Sequence, residues 1–176
     1  MSEQTEHEKK VAQEIKKLYS QDMSGEFGDK LSDIRIQTID REQGKKILLI
    51  RVPEEVLEVV HIGYSKLSGK LKALYPDFHT LVIRNTPIVN VSSIKGNVYR
   101  IDSKNTKKSV HENWIRDLCY PALVEMRKTD VFNGCERIES ALVSSNSNYS
   151  DDDFAAMECA FKTLTGRTIH YGNIFY

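Results

Sequence analysis

The run Ile47-Leu-Leu-Ile50, set between Lys46 and Arg51-Val-Pro53, constrains the fold more than any other stretch of this chain. A strand with one wet face alternates apolar and polar residues, so an unbroken run of this kind belongs to a central strand. Residues 34–40 alternate weakly and reach it through the turn-forming Arg41-Glu-Gln-Gly44, so 34–52 reads as a hairpin whose second strand is central. Pro53 is a favoured first-turn residue. Behind it Val56, Val60, Tyr64, Leu67, Leu71 and Leu74 recur at steps of four and three, which predicts one long helix running to Tyr75. Its acids, Glu54, Glu55 and Glu58, lie at the start and Lys66, Lys70 and Lys72 near the end, matching the helix dipole. A second buried strand follows at 80–84, with the short apolar run Leu81-Val-Ile83.

Other segments fall around this frame. An N-terminal helix is predicted over 7–19, with Val11, Ile15, Leu18 and Tyr19 on its packed side, and a loop over 20–33. Residues 85–109 read as an exposed hairpin or arm, and 110–120 as a short helix with Val110, Trp114, Ile115 and Leu118 inward, stopped by Pro121. Asn133-Gly134 marks a hairpin within 129–143, followed by a polar linker over 144–150. A last helix over 151–164 carries Phe154, Met157, Phe161 and Leu164 on one stripe, with Gly166 as its left-handed cap and a closing strand over 168–175. The expectation is a single α/β domain of the α+β kind over 1–176, helices packed on a mixed, largely antiparallel sheet with a protruding basic arm, and no internal repeat.

Composition narrows the function classes. At 40% hydrophobic and 28% charged, 176 residues are enough for one buried core in an ordinary globular protein. No stretch approaches the roughly 18 to 20 apolar residues that span a bilayer, and the polar, acidic start is unlike a signal peptide. The chain is therefore expected to stay on the side of the membrane where it is made. Cys119, Cys135 and Cys159 are widely spaced with no C-x-x-C pair, which fits reduced, buried thiols.

Catalytic patterns fail on spacing. Gly63 followed by Gly69-Lys70-Leu71 misses a phosphate-binding loop, because five residues separate the glycines and a Leu stands where a hydroxyl is needed. Asp151-Asp-Asp153 after Ser150 is what a helix N-terminus favours by capping and dipole. His7, His61, His79, His111 and His170 show no ligand spacing, and Trp114, Phe154 and Phe161 sit at core spacing. No enzyme, metal, cofactor or small-molecule substrate is expected, because no acid/base pair of convergent geometry can be named; turnover abolished by a single substitution at His111, Asp117 or His170 would revive the enzyme reading.

Charge is more informative by segment than in total. Twenty-five bases against 25 acids give a net charge of zero, which taken whole argues against nucleic-acid binding. Yet from Lys66 to Lys108 nine bases (Lys66, Lys70, Lys72, Arg84, Lys95, Arg100, Lys104, Lys107 and Lys108) face only Asp77 and Asp102, leaving +7 there and −7 elsewhere. Tyr99 interleaves with these bases and could stack on a nucleobase or a sugar. Charge alone leaves open a solvated face with dipole-matched lysines.

Several segments, in order, resemble the eukaryotic small-subunit ribosomal protein seven family. These are Lys45-Lys-Ile-Leu-Leu-Ile-Arg-Val-Pro53, Lys72-Ala-Leu-Tyr75 with His79-Thr-Leu-Val-Ile-Arg84, and Val110-His-Glu-Asn-Trp-Ile-Arg-Asp-Leu-Cys-Tyr-Pro121. The basic pair Arg127-Lys128, Asn133-Gly134 with Arg137, and Phe161-Lys-Thr-Leu-Thr-Gly-Arg167 before Ile169-His-Tyr171 continue the match. The likeness covers most of 34–176. It departs from the family pattern at 85–109, where a dense basic run with prolines is reduced to Lys95, Arg100, Lys104, Lys107 and Lys108, and at a shorter, more acidic N-terminal part. The resemblance implies a non-catalytic structural constituent of the small ribosomal subunit, held on ribosomal RNA beside neighbouring small-subunit proteins and needed in rRNA maturation. It would be cytoplasmic in the ribosome, with passage through the nucleus and nucleolus during assembly, and without membrane contact. The expected RNA-facing residues are Lys66, Lys70, Lys72, Arg84, Lys95, Arg100, Lys104, Lys107, Lys108, Arg127 and Lys128, as phosphate contacts. The competing expectation is a cytosolic protein-interaction module with no RNA contact, whose acidic face meets a basic neighbour.

Overall fold

The computed structural model describes residues 5–19, 30–88, 105–132, 136–144 and 149–174. Helix α1 spans Glu6–Leu18, and a 3-10 turn at Leu31–Asp33 leads into β1, Arg35–Ile39, and β2, Lys46–Val52. Helices α2, Glu54–Ile62, and α3, Tyr64–Leu74, precede β3, Phe78–Arg84. Then come α4, Lys107–Leu118, the strands β4, Val124–Phe132, and β5, Glu136–Val143, helix α5, Asp151–Thr165, and β6, Ile169–Asn173. The fold is α+β, as expected, but the expected mixed sheet is two mixed sheets of three strands, ordered β1-β2-β3 and β4-β5-β6. In each, an antiparallel hairpin is joined by a helical crossover to a parallel third strand. A hairpin followed by a helical crossover to a parallel strand thus occurs twice, with two helices in the first crossover and one in the second.

The central run behaves as its composition requires. Ile47, Leu48, Leu49 and Ile50 are all buried, β2 lies between β1 and β3, and successive side chains serve different cores. Ile47 and Leu49, with Leu81 and Ile83 of β3, face α4, α5 and the second sheet. Leu48, Ile50 and Val52, with Val82, face α1, α2 and α3. A strand covered on both sides reads as a continuous apolar run, because the period of two places neighbours in opposite layers.

The single long helix predicted after Pro53 is broken at Gly63, whose φ of −120° and ψ of 29° end α2 and start α3. Helix ends leave carbonyls without helical partners, and two tyrosines from elsewhere satisfy them. The Tyr19 hydroxyl donates to the Val60 carbonyl at 3.1 Å and the Tyr120 hydroxyl to that of His61 at 2.7 Å. Tyr19 also crowds Gly63, where an added Cβ would lie 2.9 Å from its ring. The Tyr120 ring stacks on His61 at 3.7 Å and meets the edge of Tyr64 at 4.9 Å.

Helix α1 packs through Val11 and Ile15, both fully buried, and is tethered by the buried Glu8. Its carboxylate accepts the Thr5 N–H at 2.7 Å, closing a capping box, and the N–H of Ile36 on edge strand β1 at 3.0 Å. Burial pushes this carboxyl up from its ordinary 4.5, but the donors at Thr5 and Ile36 outweigh it and hold it below that value. The tether is therefore fully stabilising above the ordinary carboxylate range and is lost as pH falls through the lowered value. The stability gap between wild type and Glu8→Gln, measured in urea, is expected to be clear at about pH 7 and to shrink as the pH is taken down through and below the ordinary carboxylate range. A gap that widens in acid would contradict the tether.

Candidate nucleic-acid interface

The three lysines predicted from the long helix lie on α3 and are all exposed. Four residues apart, Lys66 and Lys70 share one face, whereas Lys72 lies about half a turn away from Lys70. Lys70 is close enough to α1 to help hold the Glu14 carboxyl below its ordinary value, mainly the work of Lys17 at 2.7 Å. Lys72 instead borders an open groove of about 750 Å³ walled by Tyr64, Tyr75, Phe78 and Tyr120, with Lys45 on the same rim. Burial pushes the Tyr64 hydroxyl up to about 12.

Arg84 is turned inward, against its expected place on RNA. It ends β3, where Asp117 of α4 accepts its Nε at 2.8 Å and its backbone N–H at 3.0 Å on Oδ2, and its Nη2 at 2.9 Å on Oδ1. Its remaining nitrogen donates to Glu54 at the start of α2 at 3.1 Å, and Trp114 Nε1 donates to the Arg84 carbonyl at 3.1 Å. The Asp117 side chain is 2% exposed and that of Arg84 18%, so the pair joins β3, α2 and α4 and leaves little of the guanidinium for a phosphate. The hydrogen bonds to Asp117 raise the Arg84 pKa above its ordinary value.

Lys95, Arg100, Lys104 and Tyr99 lie outside the described residues, as do 89–104 of the expected arm. Its end, however, is helical: Thr106 caps α4 through the Ser109 N–H at 3.3 Å, so Lys107 and Lys108 occupy a first turn that the apolar spacing places later, at Val110. Both are exposed, and neither makes an ion pair among the described residues. Arg127 on β4 is held between Glu112 of α4 and Glu139 of β5, and Arg167 also grips Glu139. Lys128 reaches Asp130 at 3.0 Å but its side chain stays 61% exposed. Arg167 escaped the sequence-based set because it follows the Gly166 cap, far along the chain from the bases it approaches.

Asp117, His170, Asp152 and Asp153 have structural partners. Asp117 is committed to Arg84, and His170 lies 3.4 Å from Glu158. Asp153 closes the Ser150 capping box, while Asp152 bonds Arg41 and His79, both at 2.7 Å, tying α5 to the first sheet. Gly69 and Lys70 lie in mid-helix. Among the described residues no group of His, Cys, Asp and Glu is placed to hold a metal ion, and no helix is long and apolar enough to cross a membrane. Burial pushes the Cys119 thiol up to about 12, far from a reactive thiolate.

Among the described residues, exposed lysines stand on two helices while Arg84 and Arg127 are drawn into pairs within the fold, which gives a small α+β protein with separate cationic surfaces. A family model described as ribosomal protein S7e matches residues 1–173. The chain is 28% identical to small ribosomal subunit protein eS7 of Encephalitozoon cuniculi, over 95% of this chain and 93% of the relative. It is 27% identical to eS7 of Candida albicans, over 94% and 90%. To eS7B of Saccharomyces cerevisiae it is 25% identical, over 76% and 72%. The chain belongs to the ribosomal protein S7e family.

Proposed function

We propose that this protein is a structural constituent of the small ribosomal subunit that binds ribosomal RNA through phosphate contacts and supports rRNA maturation and translation. The observation that carries the RNA reading is the contrast among its cations. Lys66, Lys70, Lys72, Lys107 and Lys108 are exposed and without ion pairs among the described residues, whereas Arg84 and Arg127 are paired within the fold. Lysines left in this way are point charges for a backbone; phosphate contacts position a protein without reading sequence, as a fixed component requires. Lys128, Lys95, Arg100 and Lys104 complete the proposed set, and Arg84 and Arg127, both paired within the fold, are withdrawn from it. Neighbouring small-subunit proteins are the second class of partner, favoured by the exposed Met126 and Val131 on edge strand β4 and by Leu123 beside it. Residence is in the cytoplasmic ribosome, after passage through the nucleus and nucleolus during assembly.

Binding to small-subunit rRNA fragments across a salt series tests the reading. Replacing Lys66, Lys70, Lys107 and Lys108 with Ala is expected to flatten the plot of log affinity against log salt by about one unit for each lysine that neutralises a phosphate. An unchanged slope would remove these helices from the RNA interface.

A further inference from the structure

Where α4 begins, a second cavity of about 290 Å³ opens between Lys107, Lys108, Arg127 and Arg167, with His111 and Glu112 in its wall. Four cations meet the two carboxylates of Glu112 and Glu139, which leaves two positive charges in excess on Lys107 and Lys108. Those lysines sit on the positive end of a helix dipole, in a first turn that contains no acid. His111 is only 4% exposed, yet its ring nitrogens have no hydrogen-bond partner among the described residues. Aromatic rings pack it, Trp114 stacked at 5.7 Å and Phe161 edge-on at 6.1 Å, so the cavity is where its nitrogens can find a partner. An anion accepting a hydrogen bond from the imidazole would give a ring nitrogen a charged partner while neutralising the excess charge.

We propose that this cavity is a phosphate site, seating one backbone phosphate of RNA between Lys107, Lys108 and Arg167 with a hydrogen bond from His111. The RNA source rests on the function proposed above; the phosphate chemistry does not. Burial, Lys107 and Arg167 hold the His111 pKa below its ordinary value, so an anion seated among them raises it.

Histidine-ring NMR of the whole chain provides the test, with inorganic phosphate as the first probe and an rRNA duplex fragment as the second. Phosphate is expected to move the His111 ring signals saturably and raise their titration midpoint, while chloride at equal ionic strength does not and the exposed His170 stays still. Lys107→Ala and Arg167→Gln, each first checked for a native spectrum, should each weaken phosphate about tenfold, the loss of one charge-assisted hydrogen bond. The duplex should move the same signals and displace phosphate. If phosphate acts on His111 only as chloride does, the site is overturned, and lysine-dependent RNA binding would stand without it. If phosphate saturates but bound RNA leaves His111 unmoved, the backbone-phosphate assignment is overturned and the cavity binds free phosphate alone.

Discussion

Asp117→Ala is expected to lower stability by about 3 kcal/mol, because removing one partner of a buried pair strands the other charge. The figure lies at the low end for such pairs, since the Arg84 side chain keeps 18% exposure and retains Glu54 at 3.1 Å. Three hydrogen bonds go at once, including that from the Arg84 backbone N–H, so the end of β3 loosens from α4 together with the guanidinium. At a slope of about 2 kcal/mol/M, the urea midpoint should fall by about 1–2 M. Asp117→Asn keeps an acceptor for the backbone N–H and is expected to cost less. Equal stability of wild type and both variants would show that Arg84 is not an internal anchor and would return it to the candidates for RNA contact.

Leu48→Ala and Leu49→Ala are both expected to be severely destabilising, by about 2–5 kcal/mol each. Adjacent residues of a strand point to opposite faces, and a half-exposed strand would show the cost at only one of them. Here Leu48 is 4% exposed beneath α1, α2 and α3, and Leu49 is fully buried toward α4 and α5. Thr38, opposite Leu48 on β1 and exposed, supplies the control, and Thr38→Ala should stay within about 0.5 kcal/mol. Chemical denaturation of the three variants decides the matter: a large loss at Leu49 with none at Leu48 would mean that the helical layer over Leu48 is not packed.

Features written locally in the chain were the legible ones. The four-residue run at 47–50 announced a strand buried on both faces, and Ser150 with Asp153, then Gly166 at φ +70°, bracketed α5 within a residue. The break at Gly63 was not legible, because apolar spacing continues across it and the hydroxyls that satisfy its free carbonyls come from Tyr19 and Tyr120. The start of α4 was hidden for an electrostatic reason: two lysines in a first turn oppose the dipole, so the pattern placed the helix later, at Val110. Candidate RNA-facing residues divided the same way. Lysines on α3 and α4 could be picked out by residue type and helix position, but whether an arginine is spent inside the fold depends on acids such as Asp117, 33 residues away from Arg84.

A chain built into the small ribosomal subunit must travel with it. Sedimentation of the tagged, full-length protein from its own cells through a sucrose gradient reads this directly. Co-migration with free small subunits and with translating ribosomes is expected, with release only under conditions that dissociate the subunit. A single slow peak of free protein, with none among the small subunits, would contradict it.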